Sequence, residues 1–123
     1  MNINKFTIKS QEALQQAQQI AQSFGHQQLE NEHIFKGILE VDENVTPFIL
    51  KKLNVNVELF KKVLDSTIQS FPKVSGSDLM FSRSASSTLT EAEIIAKKMN
   101  DEYVSIEHLI LAIFKSKSKV SQI

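Results

Sequence analysis

The sequence predicts an all-α fold in which one helical unit occurs twice. Residues 6–39 and 81–114 align without a gap at an offset of 75 positions. Eight aligned pairs are identical: Phe6/Phe81, Leu14/Leu89, Ala17/Ala92, Ile20/Ile95, Ala21/Ala96, Glu32/Glu107, His33/His108 and Ile38/Ile113. Most of these pairs recur at helical spacing, and a repeat of this length usually buries its apolar face against its own copy. With only three glycines and no tryptophan, the composition also suits helices better than a turn-rich β protein.

The first helix is predicted from residue 8 to residue 24, with Thr7 as its N-cap. Its apolar positions follow the i, i+3, i+4, i+7 rule and comprise Ala13, Leu14, Ala17, Ile20, Ala21 and Phe24. The opposite face is rich in glutamine, which we interpret as a solvated helix face because the apolar phase is unbroken. Gly25 supplies the left-handed conformation that ends the helix.

Three further helices complete the first repeat, which we place at residues 1–71. A short helix is predicted over 32–39, and Thr46-Pro47 reads as an N-cap with proline at the first helical position of a helix ending near Leu53. Asn56 caps the next helix, which Pro72 terminates. The predicted buried side chains of this last helix are Leu59, Phe60, Val63, Leu64, Ile68 and Phe71.

The second repeat is placed at residues 81–123, after a linker at 72–80 that contains proline, glycine and serines. Ser82 or Ser84 caps a helix that runs to about residue 99, and Asn100 takes the place of Gly25. A further helix spans 106–114, with Ser105 as its cap. The copy then stops where its third helix is expected to begin, so we expect a fragment of a longer protein; the alternative is a natural chain that ends here.

The bulk composition limits the function classes. A chain of 123 residues supports one domain. Fourteen basic and fourteen acidic residues give a formal net charge of zero, which is not the basic field that nucleic-acid binding needs. The absence of cysteine rules out disulfides and thiolate metal sites and fits a reducing cytoplasm. No apolar run approaches the roughly 18 residues of a membrane span, and the N-terminus does not read as a signal peptide.

The repeated polar residues allow structural and functional readings. Glu32 and Glu107 each fall in the first turn of a helix, where a carboxylate favours the dipole by about 0.3–1 kcal/mol; alternatively, they contact basic or extended polypeptide. We interpret His33 and His108 as packing histidines, because no HExxH-like spacing brings metal ligands together. The serines near residue 82 belong to a helix cap without a nucleophile elbow. We therefore predict no enzyme and no metal site.

With the repeats aligned, the residues resemble a known family, the Clp N-terminal (Clp R) domain. That family has a threonine cap, an ALxxAxxxA helix, a Gly-His turn and a Glu-His-(Leu/Ile) helix start. The matching segment here is FTIKSQEALQQAQQIAQSFGHQQLENEHIFKGIL, and the second copy repeats the signature with VSIEHLILAIF. Closest to the ClpB branch, the bacterial AAA+ disaggregases, is NVTPFILKKLNVNVELFKKVLDSTIQSFPKVSG. The resemblance covers essentially all 123 residues.

The resemblance implies two pseudo-symmetric four-helix repeats packed together, the second truncated here. It also implies a flexible linker to two ATPase modules that assemble into a hexameric ring. This chain contains no GxxxxGK[ST] phosphate loop. We therefore expect no cofactor in this fragment, and assign ATP and Mg²⁺ to the ATPase modules of the parent protein.

The resemblance also implies binding residues. In ClpB-like domains the residues implicated in chaperone action map onto Thr7, Asp101 and Glu107. In the related ClpC branch, two Thr-Glu combinations bind phosphorylated arginine and map onto Thr7 with Glu32 and Ser82 with Glu107. Ser82 lacks the methyl group of threonine, which weakens the match at the second of these sites.

An exposed apolar groove is also expected, because apolar burial is the one feature that unfolded chains share. We place it at the interface between the repeats. Its candidate residues are Phe6, Phe81, Leu89, Leu109 and Tyr103, although we expect Leu109 to belong to the core.

The resulting hypothesis is a cytoplasmic domain that binds unfolded or aggregated polypeptide, or an adaptor or co-chaperone, and delivers substrate to an ATPase ring. We expect the fragment to be monomeric and to bind neither nucleic acid nor membrane. The alternative within the family is a ClpC- or ClpA-type domain that docks adaptors or tagged substrates for proteolysis. The alternative from another class, a small-molecule enzyme on a helical scaffold, would show thermal shifts with nucleotides or metals.

Overall fold

A computed structural model describes residues 3–73, 78–116 and 120. A 3₁₀ turn at Ile3–Lys5 precedes the helices. The first repeat contains α1 (Ile8–Ser23), β1 (Gln28–Leu29), α2 (Asn31–Val41), α3 (Val45–Lys52) and α4 (Val57–Gln69). The second contains β2 (Met80–Phe81), α5 (Arg83–Lys98) and α6 (Ile106–Lys115). The all-α prediction is confirmed, and in the described part of the chain no helix is long and apolar enough to span a bilayer.

Helix ends follow the capping residues that the sequence indicates. The side chains of Thr7, Asn56 and Ser82 each accept a hydrogen bond from a backbone N–H in the first turn of the helix that follows. Gly25 and Asn100 adopt φ values of 71° and 59°, which is the left-handed conformation that closes α1 and α5. These two residues are equivalent in the repeats, so both copies end their first helix in the same way.

The start of α3 differs from the prediction, because Asp42 caps it from outside the helix. The Asp42 carboxylate accepts hydrogen bonds from the backbone N–H groups of Asn44, Val45 and Thr46 at 3.2, 3.1 and 2.8 Å. The Thr46 hydroxyl donates to the same carboxylate at 2.7 Å. Thr46 is therefore a buried residue inside the helix rather than its N-cap, and Pro47 is not the first helical residue.

The apolar face of α4 is narrower than predicted. Phe60, Leu64 and Ile68 are buried as expected. Leu59 and Val63, however, are 59% and 38% exposed, so their assignment to the core was wrong. The buried residues recur every four positions, a stripe along one line of the helix, because on this side α4 packs mainly on α2.

The two short strands lie where a loop and the linker were predicted. β1 and β2 pair in parallel, with Gln28 opposite Met80 and Leu29 opposite Phe81. The linker is therefore structured at Met80; residues 74–77, within the linker, lie outside the described residues, as do 117–119 and 121–123 at the end of the second repeat.

A second parallel bridge joins Phe6 to Val104. At the offset of 75, Phe6 corresponds to Phe81 and Val104 to Leu29. The two contacts are therefore equivalent. In each of them, the segment before the first helix of one repeat pairs with the segment before the second helix of the other repeat. The repeats are related by a pseudo-two-fold axis, and each contributes one strand segment to the other.

Close packing of α1 on α2 depends on Gly37. A Cβ atom at this position would lie 2.3 Å from the backbone oxygen of Ala13. The equivalent residues of the second repeat, Ala112 and Thr88, are both larger. They line a cavity of about 400 Å³ beside α5 and α6, so the helix pairs of the two repeats do not pack identically.

Candidate functional site

The strand pairings bring the first residues of each repeat next to the turn between the first two helices of the other repeat. The Thr7 backbone N–H donates to the Val104 carbonyl at 3.0 Å, and the Ser82 N–H donates to the Leu29 carbonyl at the same distance. Val104 lies between Asp101 and Glu107 in the sequence. Thr7 is therefore held beside the turn between α5 and α6, in the opposite repeat.

Because the backbone pairs between the repeats, the residues that lie close together are not the combinations that the family resemblance implies. The resemblance implies Thr7 with Glu32 and Ser82 with Glu107. The backbone pairing instead places Thr7 beside the turn that leads to Glu107, and Ser82 beside the turn that leads to Glu32. The reason is the pseudo-two-fold arrangement, in which strand segments pair between the repeats rather than within them.

The hydroxyl groups of Thr7 and Ser82 act as helix caps. Thr7 Oγ1 accepts from the Ser10 backbone N–H at 3.1 Å and donates to Ser10 Oγ at 2.9 Å. Ser82 Oγ accepts from the Ala85 N–H at 3.0 Å, and Ser82 is buried. Thr7 is half-buried, so of these two hydroxyl residues it is the more accessible.

The two repeated glutamates have different environments. Both lie in the first turn of a helix, Glu32 in α2 and Glu107 in α6. Glu32 is only 5% exposed, whereas Glu107 is exposed. A contact with an external polypeptide is therefore open to Glu107, while Glu32 belongs to the interior of the repeat.

A histidine anchors the turn in each repeat. In the second repeat, His108 Nδ1 accepts from the Ser105 backbone N–H at 2.8 Å. Its Nε2 lies 2.8 Å from Asp101 Oδ2. The carboxylate of Asp101 is thereby held in place, yet its side chain remains about half exposed. His108 is buried and acts as the packing histidine that the sequence predicts.

In the first repeat, a second histidine replaces this aspartate. His33 Nδ1 accepts from the Glu30 backbone N–H at 2.9 Å. His33 Nε2 lies 2.8 Å from His26 Nδ1. Burial, with the positive charge of a protonated His26 as a smaller cause, lowers the pKa of His33 to about 4. The two rings are hydrogen-bonded to each other. The described residues contain no cluster of three or more metal-ligating side chains.

The predicted apolar groove is corrected by the structure. Phe6, Leu89 and Leu109 are buried in the core, which was expected only for Leu109. Phe6 is buried because its segment pairs with the opposite repeat, and Leu89 because it faces inward on α5. Of the remaining candidates, Phe81 is half-buried and Tyr103 is half exposed.

Two clefts flank the interface between the repeats. One, of about 370 Å³, is lined by Lys5, Thr90, Glu93, Ile94, Ala96, Lys97, Asp101, Glu102 and Val104. The other, of about 180 Å³, is lined by Ile3, Gln11, Leu14, Gln15, Gln18 and Phe81. Gln15 and Gln18 are equivalent to Thr90 and Glu93, so the clefts occupy related places.

The residues of α5 that face the larger cleft were not predicted from the sequence; they include Thr90, Glu93 and Ile94. The alignment of the repeats could have identified them, because these positions differ in chemistry from the glutamine-rich face of α1 to which they correspond. On α5 the same face carries charged and apolar side chains, and Ile94 is an exposed apolar residue. The cleft thus combines an apolar wall with the carboxylates of Glu93 and Asp101.

Known proteins are similar to this chain in sequence and in fold. Residues 5–123 match the Clp repeat (R) N-terminal domain family. The chain is 48% identical over 123 residues to the chaperone protein ClpB of Bacteroides thetaiotaomicron, covering all of this chain and 14% of that protein. To the ClpB of Porphyromonas gingivalis it is 39% identical over 121 residues, which is 98% of this chain and 14% of the relative. This chain therefore spans about one seventh of the length of these relatives.

A solved structure, the N-terminal domain of Hsp104 from Candida albicans, has the same fold. It matches with a TM-score of 0.87 at 18% identity, over 96% of this chain and 78% of that one. At this identity the likeness concerns the fold alone.

Proposed function

Because this chain belongs to the Clp repeat (R) N-terminal domain family, we propose that it is the polypeptide-binding domain of a ClpB-type disaggregase. In this proposal it binds unfolded or aggregated polypeptide, directly or through an adaptor, in the cytoplasm. The domain passes the polypeptide to a hexameric ATPase ring elsewhere in the parent protein, where ATP and Mg²⁺ bind. The names of the two ClpB relatives support this branch of the family.

The observation that carries the proposal is the exposed turn between α5 and α6. Asp101, Tyr103 and Glu107 are all exposed there, and the backbone of Thr7 is held beside them. An exposed aromatic ring beside the larger cleft, whose wall includes Ile94, Ala96 and Val104, favours contact with apolar segments. The carboxylates add acceptors for basic side chains and free backbone N–H groups of an extended chain.

The first repeat has a different surface at the equivalent place. Glu32 is buried, and His26 stands where the second repeat has Asp101. We therefore propose one acidic contact site per domain, centred on Asp101 and Glu107, rather than two.

The test is a titration of the domain with a reduced and alkylated protein that cannot refold. We expect Glu107→Gln and Asp101→Asn each to weaken binding several-fold, since each removes a charge and keeps the size and a hydrogen-bond acceptor. Glu58→Gln is the matched control, because Glu58 is also an exposed first-turn glutamate, in α4. Binding is measured by fluorescence anisotropy, with melting temperatures recorded for every variant.

Three results would contradict the proposal. Equal loss in the Glu58 variant would mean that any surface carboxylate contributes, without a specific site. Unchanged binding in both turn variants would remove the turn from the contact surface. A loss of binding that tracked a lower melting temperature, and disappeared when stability was restored by a distant substitution, would reduce Glu107 to a helix-dipole residue.

The alternative is a ClpC- or ClpA-type domain that docks adaptors or tagged substrates for proteolysis. A domain of that type has the same fold, so the features that distinguish the two assignments lie outside this domain. A coiled-coil insertion in the first ATPase module would support the ClpB assignment, and a protease-docking loop in the second would support the alternative. Sequencing the gene downstream of this region distinguishes them.

A further inference from the structure

A third chain segment lies beside the two short strands of the first repeat. β1 pairs with β2 on one edge. His26, two residues before β1, forms an antiparallel bridge with Lys73, which follows α4. The segment from His26 to Leu29 therefore has a backbone neighbour on both edges, and both neighbours belong to this chain.

The equivalent segment of the second repeat, residues 101–104, has a neighbour on one edge. The Val104 N–H donates to the Lys5 carbonyl at 2.7 Å, and the Val104 carbonyl accepts from the Thr7 N–H at 3.0 Å. Among the described residues no bridge is formed on the other edge, which we call the outer edge. Within these 123 residues the second repeat has no counterpart of Lys73.

The two segments are otherwise built alike. The His26 N–H donates to the Ala21 carbonyl at 2.9 Å. The equivalent Asp101 N–H donates to the equivalent Ala96 carbonyl at the same distance. Each turn therefore leaves its first helix with the same hydrogen bond and then pairs with the opposite repeat in the same way. The difference between the repeats lies in the third segment.

The outer edge presents free backbone groups. In an extended segment the backbone groups of successive residues point to alternate edges. Because those of Val104 point towards residues 5–7, those of Tyr103 point outward. In the described part of the chain, the Tyr103 N–H and the carbonyls of Asp101 and Tyr103 form no backbone hydrogen bond. All residues from 101 to 103 are exposed, so another chain can approach this edge.

We propose that an extended segment of the bound polypeptide adds to the outer edge as an antiparallel strand, in the place that Lys73 has in the first repeat. The inference rests on the proposed function and specifies how the polypeptide contacts the turn. A row of unpaired N–H and C=O groups is a template for pairing with another chain. Main-chain hydrogen bonds supply affinity without depending on sequence, and unfolded polypeptides share a backbone but no common sequence.

The side chains of the outer edge define the preferred segments. Cross-strand pairs of like charge are unfavourable, whereas aromatic rings pair well with β-branched residues. The carboxylates of Asp101 and Glu102 therefore disfavour acidic residues in the added strand, and the Tyr103 ring favours valine, isoleucine or threonine. Proline removes the N–H that pairing needs. The expected ligands are neutral or basic extended segments that contain β-branched residues and lack proline.

The test uses this chain labelled with ¹⁵N and a capped hexapeptide that alternates lysine and valine. We expect saturable shifts at residues 101–103 and, at saturation, exchange of the Tyr103 N–H slowed at least about tenfold, because a new hydrogen bond protects it. Close contacts between α-protons of the two chains report antiparallel pairing. The same hexapeptide methylated on every backbone nitrogen keeps its side chains but cannot pair, and should produce no slowing.

Tyr103→Pro removes the outward N–H and keeps the carboxylates of Asp101 and Glu107. We expect the hexapeptide to bind at least about tenfold more weakly, since the donor is lost and the proline ring occupies the edge. Tyr103→Ala keeps the N–H, so it measures the contribution of the ring alone and should weaken binding less. Gln28→Pro is the matched control, because Gln28 is the equivalent residue of the first repeat, and should leave the affinity unchanged.

Four results would overturn the proposal. They are unchanged exchange of the Tyr103 N–H at saturation, equal binding of the methylated hexapeptide, equal affinity of the two Tyr103 variants, and protection of this N–H in the free parent protein. The last result would assign the outer edge to a downstream segment of the same chain. The results that need no variant decide the matter even if Tyr103→Pro does not fold.

A failure of the strand pairing is distinct from a failure of the proposed function. If Asp101→Asn and Glu107→Gln weaken binding of the alkylated protein while the Tyr103 N–H stays unprotected, the acidic contact remains and only the strand pairing is wrong.

Discussion

His33 and His108 are identical residues whose surroundings differ by one partner. Each accepts a backbone N–H through Nδ1 at the start of its helix. The partner of Nε2 is His26 in the first repeat and Asp101 in the second. One substitution within the repeat therefore decides whether the turn presents a buried neutral ring or a half-exposed carboxylate.

We expect the domain to become less stable as the pH falls from about 6.5 towards 4. The pKa of His33 is about 4 in the folded state and about 6.5 in the unfolded chain. Between these values the unfolded state binds more protons, so the free energy of unfolding falls as the pH falls, by up to about 1.4 kcal/mol per pH unit for this one group. Urea denaturation at a series of pH values measures the slope.

His33→Gln is the comparison for this experiment, because it retains a donor towards His26 and cannot titrate. We expect the variant to be less stable at pH 7 and to show a shallower slope above pH 4. Hydrogen bonds from Thr46, Asn44 and Val45 outweigh the effect of burial and lower the pKa of Asp42, so its contribution is lost only at more acidic pH. An unchanged slope in the variant would show that His33 is not the titrating group.

Glu32 and Glu107 should respond differently to the same change. We expect Glu107→Gln to cost at most about 1 kcal/mol, because an exposed first-turn carboxylate contributes mainly through the helix dipole. Glu32→Gln should cost more, about 1–3 kcal/mol, because Glu32 is buried and the hydrogen bonding around it must be rearranged. Denaturant unfolding of both variants gives the comparison, and equal costs would contradict the assignment of Glu32 to the interior.

At the scale of helices and strands, the repeats differ most where α1 meets α2 and α5 meets α6. Gly37 lets the backbone of α2 approach Ala13 on α1. The second repeat has Ala112 and Thr88 at these positions, next to a cavity. The same pair of helices is thus packed closely in one copy and more openly in the other.

We expect Gly37→Ala to destabilise the domain by about 1–3 kcal/mol, although alanine is the better helix former. The new Cβ would lie 2.3 Å from the Ala13 backbone oxygen, so the two helices must separate. Ala112→Gly is the comparison at the equivalent position; it costs the propensity difference of about 1 kcal/mol and, in addition, the packing of one buried methyl group. Both are measured by denaturant unfolding. A stabilised Gly37 variant would mean that the helix contact is loose enough to admit a methyl group.

At the scale of the whole molecule, the two reciprocal strand pairings join the repeats. Each consists of a few hydrogen bonds between segments about 50–100 residues apart in sequence. Because the pairings are related by the pseudo-two-fold axis, separating the repeats requires breaking both. We infer that the repeats unfold together as one cooperative unit.

Hydrogen exchange tests this cooperativity. The N–H groups of Thr7 and Ser82 precede helices and would otherwise face water, but each donates across the repeat interface. We expect both to exchange at rates close to those of the central amides of α1 and α2, because they open only on global unfolding. The amide of Glu102, an exposed residue in the turn between α5 and α6, provides a fast-exchanging reference. Fast exchange of Thr7 and Ser82 beside protected helices would show that the strand pairings open independently.

The duplication, the order of the helices and most of the helix ends could be predicted from the amino-acid sequence alone. These features depend on residues close together in the chain: apolar spacing, capping side chains at Thr7 and Asn56, and the left-handed positions Gly25 and Asn100. The family pattern also lies in such local runs. The histidines were predicted as packing residues for the same reason, since no metal-ligand spacing surrounds them.

Which of the equivalent residues are exposed depends on how the two repeats pack together and could not be predicted from the sequence. Glu32 and Glu107 have the same local sequence signal, yet one is buried and the other exposed. Phe6 and Leu89 are buried by packing between segments far apart in the chain, and two-residue strands are too short to leave a periodic pattern. Burial and pairing depend on what the other repeat brings into contact, and that information is not contained in any single stretch of the chain.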